Sequence, residues 1–134
     1  MARRYLEAEV RKWLRYNINL FDPTLKFLRE EYTVEESNVY DGDLTGRYGY
    51  VDILCGRISG KSKNKVLYYC VEIKQYATTA AIDQVKKYMN WLRPDLPVEG
   101  AIAAFDISPK ALSLINKDPE LNFWHIGCGG TPIE

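Results

Sequence analysis

Residues 48–74 read YGYVDILCGRISGKSKNKVLYYCVEIK, and this stretch decides the fold. Two runs rich in β-branched and aromatic residues, Tyr48–Ile58 and Lys65–Lys74, flank the polar loop Ser59-Gly60-Lys61-Ser62-Lys63-Asn64. That pattern predicts an antiparallel hairpin. The second run holds Val66-Leu67-Tyr68-Tyr69-Cys70-Val71 without alternation, so it reads as a strand covered on both faces. A carboxylate inside such a run is costly unless a hydrogen bond, an ion pair or a cation compensates it. Asp52 and Glu72 therefore need an explanation. If the loop is centred near Ser62, residues whose numbers sum to about 124 face one another, which places Asp52 opposite Glu72. Lys74, two residues on, projects to the same face.

The flanking sequence completes an α/β pattern. A helix is predicted over about Arg3–Asn17, with Leu6, Val10, Trp13 and Leu14 as its apolar stripe. Phe21-Asp22-Pro23 interrupts it, and a short helical piece is expected around Leu25–Glu30. A weak strand over Tyr32–Tyr40 and a turn region at Asp41-Gly42-Asp43 and Gly46 follow. After the hairpin, Thr78 or Thr79 can cap a helix to about Leu92, with Ile82, Val85, Met89 and Leu92 facing the core and Arg93-Pro94 stopping it. Val98–Phe105 reads as a buried strand. Ser108-Pro109 opens a helix to about Asn116, and Leu121–Ile126 is a last strand. The order is helix, three strands, helix, strand, helix, strand. It describes a mixed central sheet flanked by helices.

Composition narrows the class. The 134 residues suit one domain spanning 1–134, and no repeat or linker divides them. With 46% hydrophobic and 27% charged residues the chain is globular rather than disordered. No apolar run is long enough to span a bilayer, and the N-terminus lacks a signal peptide's apolar stretch. Three cysteines, Cys55, Cys70 and Cys128, form neither a disulfide framework nor a metal-type spacing, so a reducing cytoplasm is expected. Eighteen basic and 18 acidic residues balance, which excludes a protein that coats nucleic acid nonspecifically but not an enzyme meeting phosphate on one face.

Two facing carboxylates repel unless a divalent cation lies between them, and oxygen ligands favour magnesium or manganese. An ammonium beside them, Lys74, can stabilise charge developing on a phosphate. A buried acid–lysine ion pair without catalytic duty is the competing reading of the same three residues. In Glu7-Ala-Glu9 both glutamates flank the first helix's apolar stripe and can reach over the sheet edge, and the helical wheel does not choose between them. Gln84 and Tyr88, four apart, lie on one helix face as a polar pair. Lys61, Lys63 and Lys65 in the hairpin, Lys86 and Lys87 on the helix, and Arg3, Arg4 and Arg11 near the first helix are candidates for phosphate contact. Trp13, Trp124, Cys55 and Cys70 read as core, and His125 as structural.

Glu7, Val51-Asp52, Glu72-Ile73-Lys74 and Gln84…Tyr88, on helix, strand, strand and helix, resemble the PD-(D/E)xK nuclease superfamily. The stretches Tyr50–Cys55, Val71–Lys74 and Asp83–Leu92 are most similar to the catalytic domain of archaeal NucS-type endonucleases. The first helix also resembles that of archaeal Holliday-junction resolvases, whose spacing favours Glu7 over Glu9. The resemblance implies a restriction-endonuclease-like core and DNA phosphodiester hydrolysis by metal-activated water. It implies that Asp52, Glu72 and the Ile73 backbone carbonyl bind Mg2+, or Mn2+ in its place, and that Glu7 contributes directly or through water. Gln84 and Tyr88 would support the site or contact DNA. A homodimer acting on single-stranded, branched or duplex DNA is compatible with it. So are a junction-resolving or exonuclease activity, or a noncatalytic DNA-binding protein that keeps the fold. NucS-type proteins carry a separate N-terminal DNA-binding domain for which these residues leave no room, and the Glu35–Tyr50 segment is longer than the matching turn. Both leave the substrate open.

Overall fold

In a computed structural model, which describes residues 7–35, 48–58, 66–92 and 98–127, five strands form one sheet. In chain order they are β1 (Lys26–Glu35), β2 (Tyr48–Ile58), β3 (Val66–Ala77), β4 (Val98–Ile107) and β5 (Leu121–His125), and they lie side by side in that order. β2 and β3 pair antiparallel from Ile58 opposite Val66 to Ile53 opposite Val71, the register that a loop centred at Ser62 requires. β1 adds antiparallel to β2, while β4 and β5 add parallel to β3. Parallel neighbours need crossovers. Two helices supply them: α2 (Thr79–Leu92) joins β3 to β4, and α3 (Pro109–Lys117) joins β4 to β5. Ser108 caps α3, accepting a hydrogen bond from the Ala111 N–H at 3.2 Å, with Pro109 in the first helical position.

The sheet is covered on both sides, which explains the uninterrupted apolar run of β3. On one face α1 (Glu7–Asn17) buries Val10 and Leu14 against Ile53, Cys55, Tyr69, Val71, Ile73 and the small residues Ala101 and Ala103. Phe21, Trp124 and Tyr69 stack there with ring centroids 5.0 and 5.6 Å apart. On the other face Ile82, Val85, Tyr88 and Met89 of α2, with Ala111 and Ile115 of α3, cover Val51, Leu54, Cys70, Ile102 and Ala104. Cys55 and Cys70 are buried free thiols whose pKa values burial pushes up to about 12. No helix among the described residues is long and apolar enough to cross a membrane.

One expectation fails. Leu25–Glu30 is not helical: between α1 and β1 the helical piece is the single 3-10 turn Ile18–Leu20, and β1 starts at Lys26. The composition of Lys26-Phe27-Leu28-Arg29-Glu30 suits a helix, but so short a segment nucleates one poorly. Pairing with Gly56, Cys55, Leu54 and Ile53 of β2 overrides that preference. The turn region at 41–46, the 36–40 part of the weak strand, the hairpin loop, Leu6, Arg3, Arg4, Lys61, Lys63, Lys65 and Cys128 lie outside the described residues.

β1 and β2 are irregular at two places. Leu28 is an extra residue between the pairs Phe27–Cys55 and Arg29–Leu54, a bulge. At Glu31 the backbone is left-handed, with φ 50°.

Candidate active site

The pairing of β2 with β3 stops at Ile53 and Val71. Beyond that point β2 continues beside β1, whose partners run to Tyr48, and β3 continues beside β4 as far as Ala77. The two central strands therefore part, and Asp52 and Glu72 stand where they part. Asp52 takes over a rung of the lost ladder: its Oδ2 accepts the backbone N–H of Ile73 at 2.8 Å. That bond fixes the aspartate and anchors the Glu72-Ile73-Lys74 backbone at once.

Glu72 is the single charged residue buried among those described, at 4% exposure. Strand alternation puts it and Lys74 on the side of Cys70, under α2. Its pKa is pushed up from 4.5 to about 9, first by burial and next by the charge of Asp52. Lys74 pulls it down, whereas a side-chain hydrogen bond with Asp52 and the charge of Glu7 add to the rise. The Lys74 ammonium lies 3.8 Å from Glu72 Oε1, a long contact, and Lys74 is 31% exposed. Glu72 Oε2 is buried with no hydrogen-bond partner among the described residues. Two carboxyl groups thus share one hydrogen bond in a poorly solvated place, with one oxygen left over. Such a pair holds a proton or a cation.

Among the described residues no third acid, cysteine or histidine gathers with this pair, and the remaining candidates lie on other elements. Glu7 begins α1, and of the two glutamates in the first turn it is the one whose charge acts on Glu72. Gln84 and Tyr88 meet as their spacing predicts: Gln84 Nε2 donates to Tyr88 Oη at 3.0 Å. The Tyr88 ring presses on β2 at Gly49, where an added Cβ would stand 2.4 Å from the ring. The described phosphate-contact candidates have other partners. Lys86 pairs with Asp118 at 2.6 Å. Lys87 lies over the Tyr88 and Trp91 rings at 5.5 and 5.2 Å. Arg11 reaches Glu30 and Glu31 at 3.4 and 3.3 Å. His125 Nε2 lies 2.8 Å from the Phe105 carbonyl oxygen, consistent with a structural role.

Sequence reasoning passed over Tyr50 and Tyr76, each 53% exposed and two residues from Asp52 and Lys74 respectively. It also passed over Glu31, for which the sequence carries no signal.

A mixed five-stranded sheet with helices on both faces, parting its central strands around an acid pair and a lysine, is a nuclease-like α/β domain. Comparison with known proteins fixes the family. Residues 6–129 match the endonuclease NucS C-terminal domain, and the chain belongs to that family. Among solved structures it is similar to a repair endonuclease from Pyrococcus abyssi (TM-score 0.66, 20% identity, covering 95% of this chain and 49% of that one). It is also similar to EndoMS in complex with double-stranded DNA (TM-score 0.65, 23% identity, 95% and 46%) and to EndoMS in its apo form (0.57, 20%, 94% and 48%). The chain thus spans about half the length of those proteins. No curated protein sequence matches it.

Proposed function

We propose that this chain is a divalent-cation-dependent DNA endonuclease of the PD-(D/E)xK type that hydrolyses phosphodiester bonds. The observation that carries the reading is the contact of Asp52 with the buried Glu72, whose Oε2 has no partner among the described residues. Burying Glu72 against Asp52 with one of its oxygens lacking a donor is a poor way to stabilise a fold and a good way to hold a cation. Membership in an endonuclease family points the same way.

The donor set suits Mg2+, which is held through one or two carboxylates and otherwise keeps water or substrate oxygens. No cluster of three or more His, Cys, Asp or Glu is gathered among the described residues, so an all-protein cage of the calcium or zinc kind is not what these side chains form. Asp52, Glu72 and the Ile73 carbonyl would hold the ion, with Glu7 adding a charge from α1. When bound, Mg2+ or Mn2+ supplies Lewis acidity at the phosphate and makes water a better nucleophile. The protein's own residues do the rest. Asp52, pinned by the Ile73 N–H, keeps its direction. Lys74, half-exposed beside Glu72, offers a positive charge to a phosphate oxygen. The Gln84–Tyr88 pair presents a hydroxyl whose orientation is fixed by Gln84. Cys55 and Cys70, free and buried, suit a reducing cytoplasm.

The test is incubation with supercoiled, single-stranded, flapped and four-way-junction DNA in Mg2+, Mn2+ or EDTA, beside Asp52→Ala and Lys74→Ala. Cation-dependent cutting that both substitutions abolish supports the proposal. Cutting that survives both overturns the site, and binding without cutting indicates a noncatalytic DNA-binding protein. A preference for junctions, or release of single nucleotides from ends, assigns the resolvase-like or exonuclease mode. The stoichiometry of the DNA complex shows whether two copies act together.

A further inference from the structure

We propose that Glu31, in β1, is a positioning residue whose left-handed backbone turns Asp52 out of the β-ladder and towards the Ile73 amide. The inference rests on the nuclease reading above for its catalytic meaning, but its geometry stands apart from that reading.

Residues two apart on a strand share a face. Here they do not. Glu30 points to α1, where it meets Arg11 and Arg15 at 3.4 and 2.9 Å, and its partner Ile53 packs in the core under α1. Tyr32 and its partner Val51 pack instead in the core under α2. Gly49, two before Val51, lies against the Tyr88 ring on that same side. The register is unchanged from Glu30–Ile53 to Tyr32–Val51, so no residue has been inserted: both strands change face together. The register leaves Glu31 and Asp52 opposite each other at the point of change.

Glu31 is the one non-glycine residue with positive φ among those described, at 50°. Glycine and asparagine adopt that region readily, and β-branched residues scarcely at all. A strained residue of this kind persists only where its surroundings hold it, and such residues gather at functional sites. Here the paired strands hold it, with Glu30–Ile53 and Tyr32–Val51 in register on either side; Arg11 Nη1 lies 3.3 Å from Glu31 Oε1. The product of the change is visible across the sheet: freed from alternation, Asp52 meets the Ile73 N–H at 2.8 Å where a strand-to-strand rung would otherwise run.

The experiment compares Glu31→Gly, Glu31→Asn, Glu31→Ala and Glu31→Val with Arg29→Val, an exposed site on the same strand opposite Leu54. Two quantities are read in the full chain: hydrogen exchange of the Ile73 amide by NMR, and kcat and KM on whichever DNA the wild type cuts. In Glu31→Val the Ile73 amide should exchange at least ~10-fold faster, as a local hydrogen bond opens. Its kcat should fall roughly 10–100-fold with KM little changed, the signature of a misplaced group. Glu31→Gly, Glu31→Asn and Arg29→Val should keep both within about threefold, with Glu31→Ala between the extremes. Retained Ile73 protection in Glu31→Val overturns the proposal. If that variant does not fold, Glu31→Gly decides alone: loss of Ile73 protection there overturns it, and protection equal to wild type supports it. If the wild type cuts no DNA, the nuclease reading fails, and the Ile73 amide still decides the role of Glu31.

Discussion

The two ends of the central strands solve the same electrostatic problem in opposite ways. At the end near the hairpin loop, Arg57 of β2 reaches Asp22 at 3.4 Å, Thr24 at 3.3 Å and Glu99 of β4 at 3.0 Å. Asp22 also accepts the Thr24 N–H and hydroxyl at 2.9 and 2.6 Å. One guanidinium with a rigid fork of donors therefore neutralises acids from two separate segments. At the other end Asp52 and Glu72 have a lysine at 3.8 Å and an oxygen without a donor among the described residues. The sheet is closed where its acids are matched by a fixed cation of the protein, and it opens where they are not. Position along a strand thus separates acids matched by a guanidinium from an acid pair that keeps one buried oxygen without a donor among the described residues.

Swapping the properties of the two ends should break this contrast. The largest effect is expected from Asp52→Ala and Lys74→Ala, each lowering kcat about 100-fold or more in a gel assay of DNA cutting. Arg57→Ala should leave cutting intact and cost roughly 1–3 kcal/mol in urea unfolding, since it strands partly buried acceptors. A neutral amide in place of the unmatched acid should act in the opposite sense. Glu72→Gln is expected to raise the melting temperature in EDTA at pH 8 while abolishing the stabilisation given by added Mn2+.

The pH dependence follows the same logic. Burial and the charge of Asp52 raise the Glu72 pKa in the folded chain from its ordinary 4.5 to about 9. Between those values the folded state binds more protons than the unfolded one, so stability falls as pH rises. In EDTA the melting temperature should decline across that window, and Glu72→Gln should flatten the decline relative to wild type. The smallest effect is expected from Tyr88→Phe, which removes the hydroxyl that Gln84 orients and should lower kcat by roughly 10-fold or less.

The part of this contrast that chemistry makes local was legible before any coordinates. Asp52 and Glu72 stand out because each interrupts an apolar run, and a short polar loop between the runs fixes their register. Gln84 and Tyr88 meet because a helix brings residues four apart together. What escaped depends on distant partners. Arg57 meets Asp22 and Glu99 from 35 and 42 residues away. The composition of Leu25–Glu30 suits a helix until β2 is there to pair with it. Arg11 and Lys86 read as free cations on helix faces because a wheel does not show Glu30, Glu31 or Asp118 beside them. Glu31 is harder still, since its backbone answers to strain across two strands rather than to its own side chain.

Gly49 offers a lever on the site that touches none of its charges. A methyl group there would stand 2.4 and 2.6 Å from the Cε1 and Cζ of Tyr88 and 2.6 Å from its hydroxyl oxygen. Gly49→Ala is therefore a wedge: it forces the ring, and the hydroxyl it carries, away from β2 while Asp52, Glu72 and Lys74 keep their own bonds. A single added carbon would displace the Tyr88 ring by steric contact alone, graded by side-chain size rather than switched by chemistry.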